Sequence, residues 1–106
     1  MTCRFMRVIV FFDLPMTSAA DRRIYTKFKK TLVKNGFLMM QESVYCKLAL
    51  NQNSANSIIS LVKNNKPDSG VVQILTITEK QYSDMEMIIG ETKNDIVENS
   101  KRIIVL

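Results

Sequence analysis

The chain has no histidine at all, and only two cysteines, three glycines and two prolines among its 106 residues. Without histidine there is no His-based general acid–base or nucleophilic machinery and no His-ligated zinc. Cys3 and Cys46 are too few for a disulfide framework or a zinc site built from one chain's cysteines, which fits reduced thiols and a cytoplasmic setting. Any metal chemistry therefore falls to carboxylates, which select Mg²⁺ or Mn²⁺. No apolar run approaches the roughly 20 residues of a membrane span, and the N-terminus lacks a signal-peptide pattern, so no membrane is expected as a partner. There is no internal repeat, linker or low-complexity stretch.

What is present reads as one domain over residues 1–106, with 46% hydrophobic and 24% charged residues. A chain of this length buries roughly two-thirds of its unfolded surface. Fifteen Lys and Arg stand against ten Asp and Glu, a net charge of +5, which favours a polyanionic partner. The most informative stretch is Met6-Arg7-Val8-Ile9-Val10-Phe11-Phe12-Asp13-Leu14-Pro15. Its Val, Ile and Phe suit a strand buried on both faces, and Pro15 prevents that strand from simply continuing. The strand thus delivers the Asp13 carboxylate to its carboxyl end, where sheets often place their chemistry.

Downstream, Ser18 as N-cap and Asp21 three residues on predict a helix start. Ala20, Ile24, Phe28 and Leu32 recur every four residues, with Arg22, Arg23, Lys29, Lys30 and Lys34 on the outward arc and Gly36 placed to end the helix. Phe37 to Gln41 and Ser43 to Leu48 form either a hairpin turning near Gln41–Ser43 or one bent strand, with Val44 in the core and Tyr45 on an exposed or interface side. A second helix carries Ala55, Ile58, Ile59 and Val62, and Val71 to Ile77 is a β-branched strand. Thr78 to Gln81 is a capping-box pattern opening a short helix with Tyr82, Met85, Ile88 and Ile89 on one side and Gly90 at its end. Ile103 to Leu106 reads as a terminal strand that pairs with a sheet edge, on another protomer in one arrangement. The order is β-α-β-β-α-β plus a short extra helix and a C-terminal strand: an α+β, ferredoxin-like antiparallel sheet with both helices on one face.

Asp13 has two readings. It is an Asx-turn residue that satisfies backbone N–H groups, or a divalent-metal ligand of the kind Mg²⁺ uses, one or two carboxylates completed by water and phosphate oxygens. No second carboxylate lies near it in sequence, since Asp21 is taken by the cap; a two-fold dimer bringing two Asp13 together would supply one. Arg22, Arg23, Lys29 and Lys30 are the candidate nucleic-acid-binding residues, beside a helix N-terminus that itself attracts phosphate. Charged outer faces are often merely solvated, so this face is a candidate and no more. Ser43 has no base to activate it as a nucleophile. An RNA-recognition motif would need an aromatic platform on the central strands, for which only Tyr45 is available.

Three pieces in order resemble the small CRISPR-associated adaptation proteins of the Cas2 family (CRISPR-associated endoribonucleases), most like type II members. They are Val8 to Pro15 with the strand ending in Asp, Arg23 with the basic helix to Lys34-Asn35-Gly36-Phe37, and Gln41-Glu42-Ser43-Val44-Tyr45. The resemblance covers essentially the whole chain. It implies a homodimer that bridges dimers of the CRISPR integrase Cas1 in spacer acquisition and holds double-stranded prespacer DNA by backbone contacts. It also implies an Mg²⁺-dependent endonuclease activity, on RNA or DNA and vestigial in some members, with Asp13 as catalytic metal ligand paired with its symmetry mate. Phe12 stands where many members carry Tyr, so that hydroxyl is lost. A toxin-like metal-dependent ribonuclease dimer of the same fold, outside adaptation, stays open at this point, as does an unrelated regulatory module.

Overall fold

The computed structural model describes residues 5–90. Its elements are β1 (Met6–Asp13), α1 (Ala19–Lys34), β2 (Leu38–Gln41), β3 (Val44–Ala49), α2 (Gln52–Asn64), β4 (Val71–Thr78) and α3 (Glu79–Ser83). The strands make one sheet in the order β2-β3-β1-β4, every neighbour antiparallel, which is the ferredoxin-like arrangement. Cys3 and the expected strand Ile103–Leu106 lie outside the described residues.

Strand alternation decides what each face does. Val8, Val10 and Phe12 point under the helices and pack with Phe28, Leu32, Tyr45, Ala55 and Val62 in the core. Phe12 is the hub: its ring meets Phe28 edge-on at 5.0 Å and stacks on Tyr45 at 5.8 Å. The alternate residues Arg7, Ile9, Phe11 and Asp13 face the other way, onto a side of the sheet that no long helix covers. β1 is thus buried on one face along its length, and on the other mainly at Ile9, whose register partners are Cys46 and Leu75.

The expected caps form. Ser18 Oγ accepts from the Asp21 amide at 3.0 Å while Asp21 accepts from the Ser18 amide at 3.2 Å, closing the capping box. At the far end Gly36 has φ +92°, and the Phe37 and Gly36 amides donate to the carbonyls of Leu32 and Val33 at 3.0 Å each. This is a Schellman ending, tightened because Phe37 and Leu32 are both core residues. The Lys47 ammonium donates to the Asn35 carbonyl, so a cation from β3 seals the negative end of α1.

Three sequence expectations are corrected, and one open alternative is decided in favour of the hairpin. The four-residue column on α1 does not stay inside: Phe28 and Leu32 are buried, but Ala20 is exposed and Ile24 is 42% exposed. Each step of four residues turns about 40° past a full circle, so Tyr25 replaces Ile24 against the core. Tyr45 is not on an exposed side; it is 2% exposed, whereas Val44 is half-buried opposite Phe11. A strand's faces exchange with a slip of one residue, and Ser43 to Leu48 tolerates either assignment by composition alone. The segment Leu38 to Leu48 is a hairpin, with a register shift between Met39 and Gln41. Finally, α3 has only 5 residues: Thr78 caps it with Gln81 as expected, but it stops before Asp84. Ile88 and Ile89 are 84% and 85% exposed, and two β-branched residues beside Gly90 are poor material for extending a helix.

Candidate metal and nucleic-acid site

Asp13 ends β1 opposite Val71 of β4 and is exposed. Two features fix its backbone. Leu14 is buried in the core immediately after it, and Gly70 presses against the Asp13 carbonyl from the start of β4. Among the described residues its carboxylate takes part in no hydrogen bond or ion pair, so it is not engaged as an Asx-turn acceptor. No group of three or more metal-ligating side chains occurs among those residues. The donor set one chain offers here is a single hard oxygen ligand. It fits Mg²⁺, which is commonly held by one or two carboxylates with water and phosphate filling the rest, and fits zinc poorly.

The candidate basic residues separate into two groups. Arg22, Arg23 and Lys30 line a shallow groove on the outer side of α1 with Ala19, Thr26 and Lys27. Positions 19, 22, 23, 26, 27 and 30 follow helical spacing, so they form one stripe along the helix. Lys27 belongs to it although charge reading along the chain passed it over; the i, i+4 relation to Arg23 was the available signal. Arg22 bends back at the stripe's N-terminal end, its Nη1 donating to the carbonyls of Met16 and Thr17 at 3.3 and 3.4 Å. Those residues lie in the loop that follows Asp13, so the guanidinium stands over the connection between strand end and helix.

Lys29 borders the adjoining groove, which it shares with Thr26, Lys30 and Lys34. Its ammonium pairs with Glu42 Oε2 at 3.0 Å and sits 5.0 Å from the centre of the Tyr25 ring. The Tyr25 hydroxyl in turn donates to Glu42 Oε2 at 2.9 Å and lies 3.2 Å from Ser43 Oγ. Lys29, followed by Tyr25, holds the Glu42 carboxyl below its usual titration range. This network latches α1 to the β2–β3 turn, and the Phe12 amide donates to the Ser43 carbonyl at 3.1 Å, so the latch also abuts the last residues of β1. Among the described residues the neighbour of the Ser43 hydroxyl is the Tyr25 hydroxyl. Tyr25 and Glu42 were invisible to local pattern because they meet across 17 positions.

Comparison with known proteins settles the family. The family model for CRISPR associated protein Cas2 matches residues 6–85. The chain belongs to the Cas2 family. A protein named CRISPR-associated endoribonuclease Cas2 from Treponema denticola is 50% identical over 101 residues, covering 95% of this chain and 100% of that protein. Proteins of the same name from Ligilactobacillus salivarius and Streptococcus mutans are 39% and 41% identical over 101 residues, each covering 95% of this chain and 100% and 93% of their own lengths. The Cas2 match runs from the first residue of β1 to just beyond α3, so it takes in Asp13, the α1 stripe and the latch. No helix among the described residues is long and apolar enough to cross a membrane.

Proposed function

We propose that the chain is a dimeric adaptation protein of CRISPR systems that holds prespacer DNA and bridges dimers of the integrase Cas1, and that Asp13 gives it Mg²⁺-dependent phosphodiester cleavage. The observation that carries the reading is the exposed carboxylate of Asp13, without a partner among the described residues and one loop away from a stripe of cations. The names of the relatives, all endoribonucleases, support nuclease chemistry in the family. Membership in Cas2 also favours this reading over a toxin-like ribonuclease outside adaptation.

The division of labour follows from the side chains. Arg22, Arg23, Lys27 and Lys30 contact phosphates along a backbone, which gives affinity without sequence preference and a steep loss of binding with salt. The N-terminus of α1 adds its partial positive charge beside Arg22. Lys29 contributes less, because Glu42 already neutralises it. Mg²⁺ bound at Asp13 would activate a water molecule and neutralise charge on the reacting phosphate. Asp13 supplies one carboxylate at the strand end, and its partner across the dimer supplies the second. Two features support a dimer. Phe11, Leu48 and Leu75 lie exposed on the sheet face without long helices, and β4 has no strand on its outer edge among the described residues. A second copy covers that face.

The test is a spacer-integration assay with the cognate Cas1, comparing no added protein, wild type and Asp13→Ala, alongside RNA and DNA cleavage by the same samples. Integration restored by wild type supports the adaptation role, and loss of cleavage in Asp13→Ala with nucleic-acid binding intact supports the metal site. Failure of wild type to restore integration would leave a nuclease outside adaptation, and cleavage persisting in Asp13→Ala would remove Asp13 from the chemistry.

A further inference from the structure

We infer that Gly70 is a positioning residue for Asp13: the absence of a side chain at 70 sets how the end of β1 presents its carboxylate. The inference rests on the reading of Asp13 as a metal ligand. Asp13 pairs with Val71, so Gly70 lies beside the peptide that joins Asp13 to Leu14. A Cβ at position 70 would stand 2.8 Å from the Asp13 carbonyl oxygen, 2.8 Å from Leu14 Cδ2 and 3.1 Å from Leu14 Cα. Real Cβ atoms do not approach backbone so closely, so one chain must move. Leu14 is locked in the core with Val10, Phe12 and Phe28, and β4 is held in register from Val71 to Thr78. The collision falls on the peptide that joins Asp13 to Leu14, at the exposed end of the strand. A side chain at 70 therefore turns the Asp13 carboxylate away from its native direction.

Gly36 supplies an internal control. It has the same φ of +92°, so replacement by an L-residue carries the same backbone strain. A Cβ there would meet Lys47 Nζ at 2.6 Å and Lys47 Cε at 3.5 Å, the far end of a flexible side chain some distance along the sheet from Asp13. One glycine thus borders the candidate site and the other only a lysine tip.

The experiment compares wild type, Asp13→Ala, Gly70→Ala, Gly70→Asn and Gly36→Ala in three measurements: thermal midpoint, Mn²⁺ affinity by electron paramagnetic resonance without nucleic acid, and kcat and KM for cleavage. Asn tolerates positive φ yet carries a Cβ, so Gly70→Asn keeps the collision while relieving strain, and it decides the matter if Gly70→Ala does not fold. Both Gly70 variants are expected to weaken Mn²⁺ binding about tenfold or more and to lower kcat by a similar factor, with KM within about twofold, as for residues that orient a ligand. Gly36→Ala is expected to lose comparable thermal stability while its Mn²⁺ affinity and kcat stay within about twofold of wild type. Equal losses in Gly36→Ala and Gly70→Ala, or native Mn²⁺ affinity in Gly70→Asn, would overturn the positioning role. Mn²⁺ binding by wild type that survives in Asp13→Ala would bring down the metal-site reading, and this inference with it.

Discussion

The two ends of β1 carry opposite charges and treat them in opposite ways. At the Met6 end, Arg7 is saturated. Its Nε and Nη2 donate to both oxygens of Glu79 at 2.8 and 3.2 Å, its guanidinium lies 4.2 Å from the centre of the Tyr82 ring, and Nη1 reaches Cys46 Sγ at 3.7 Å. The hydrogen bond it donates to Glu79 raises the Arg7 pKa against the opposing effect of burial. Glu79 and Tyr82 both come from α3, so Arg7 fastens that short helix onto the sheet. Six residues along the strand, Asp13 has no partner among the described residues. A charge that the fold neutralises with a bidentate pair and a stacked ring is architecture. A charge left bare at the carboxyl end of a strand, with its backbone fixed by Leu14 and Gly70, is available to something outside the chain.

Substitution at each end sharpens that contrast. Asp13→Ala should lower the cleavage rate by on the order of 10²–10³, as removal of a single electrostatic contributor commonly does. Its unfolding free energy should stay within about 0.5 kcal/mol of wild type. Arg7→Met should do the reverse, costing about 1–2 kcal/mol in urea unfolding, since Glu79 is partly solvated, while cleavage per folded molecule is unchanged. An Arg7→Met protein as stable as wild type, or an Asp13→Ala protein much less stable, would break the comparison. On α1, Arg23→Ala and Lys30→Ala should each reduce the slope of log K against log salt by roughly 1, and Lys29→Ala by less because its charge is spent on Glu42. The smallest effect is at the N-terminus of α1. The Ser18 amide and the Thr17 hydroxyl hold the Asp21 carboxyl below the usual carboxylate range. That contribution is complete above the unfolded carboxylate's pKa and disappears as pH falls through the lowered folded value. Amide exchange in the first turn of α1 should accelerate over that acid window, and Ser18→Ala should flatten the response.

Much of this was legible in the chain because the information is local. A β-branched run stopped by Asp13-Leu14-Pro15 announces a strand end, and Ser18 with Asp21, Thr78 with Gln81, and Gly36 announce helix boundaries, since each acts within four residues. Element order then implied the sheet. What escaped depends on contacts between distant residues. The Tyr25–Glu42–Lys29–Ser43 latch joins a helix to a turn, the burial of Tyr45 depends on a register that a slip of one residue would reverse, and the approach of Gly70 to Asp13 exists only once β1 and β4 pair. Lys27 is a different case: its spacing from Arg23 was readable, and attention to the apolar column at 20, 24, 28 and 32 hid it. The apolar residues after α3 suggested a longer helix because periodicity alone does not weigh the low helix propensity of Ile88-Ile89-Gly90.

The measurement that bears most directly on the contrast is a paramagnetic line-broadening map, with Mn²⁺ titrated into isotope-labelled wild type and Asp13→Ala. The account predicts that amides around Phe12–Leu14 and Gly70–Val71 broaden first in wild type and stay sharp in Asp13→Ala, while those around Arg7 and Glu79 are unaffected in both. Broadening that centres on other carboxylates, or that is the same in both proteins, would contradict it.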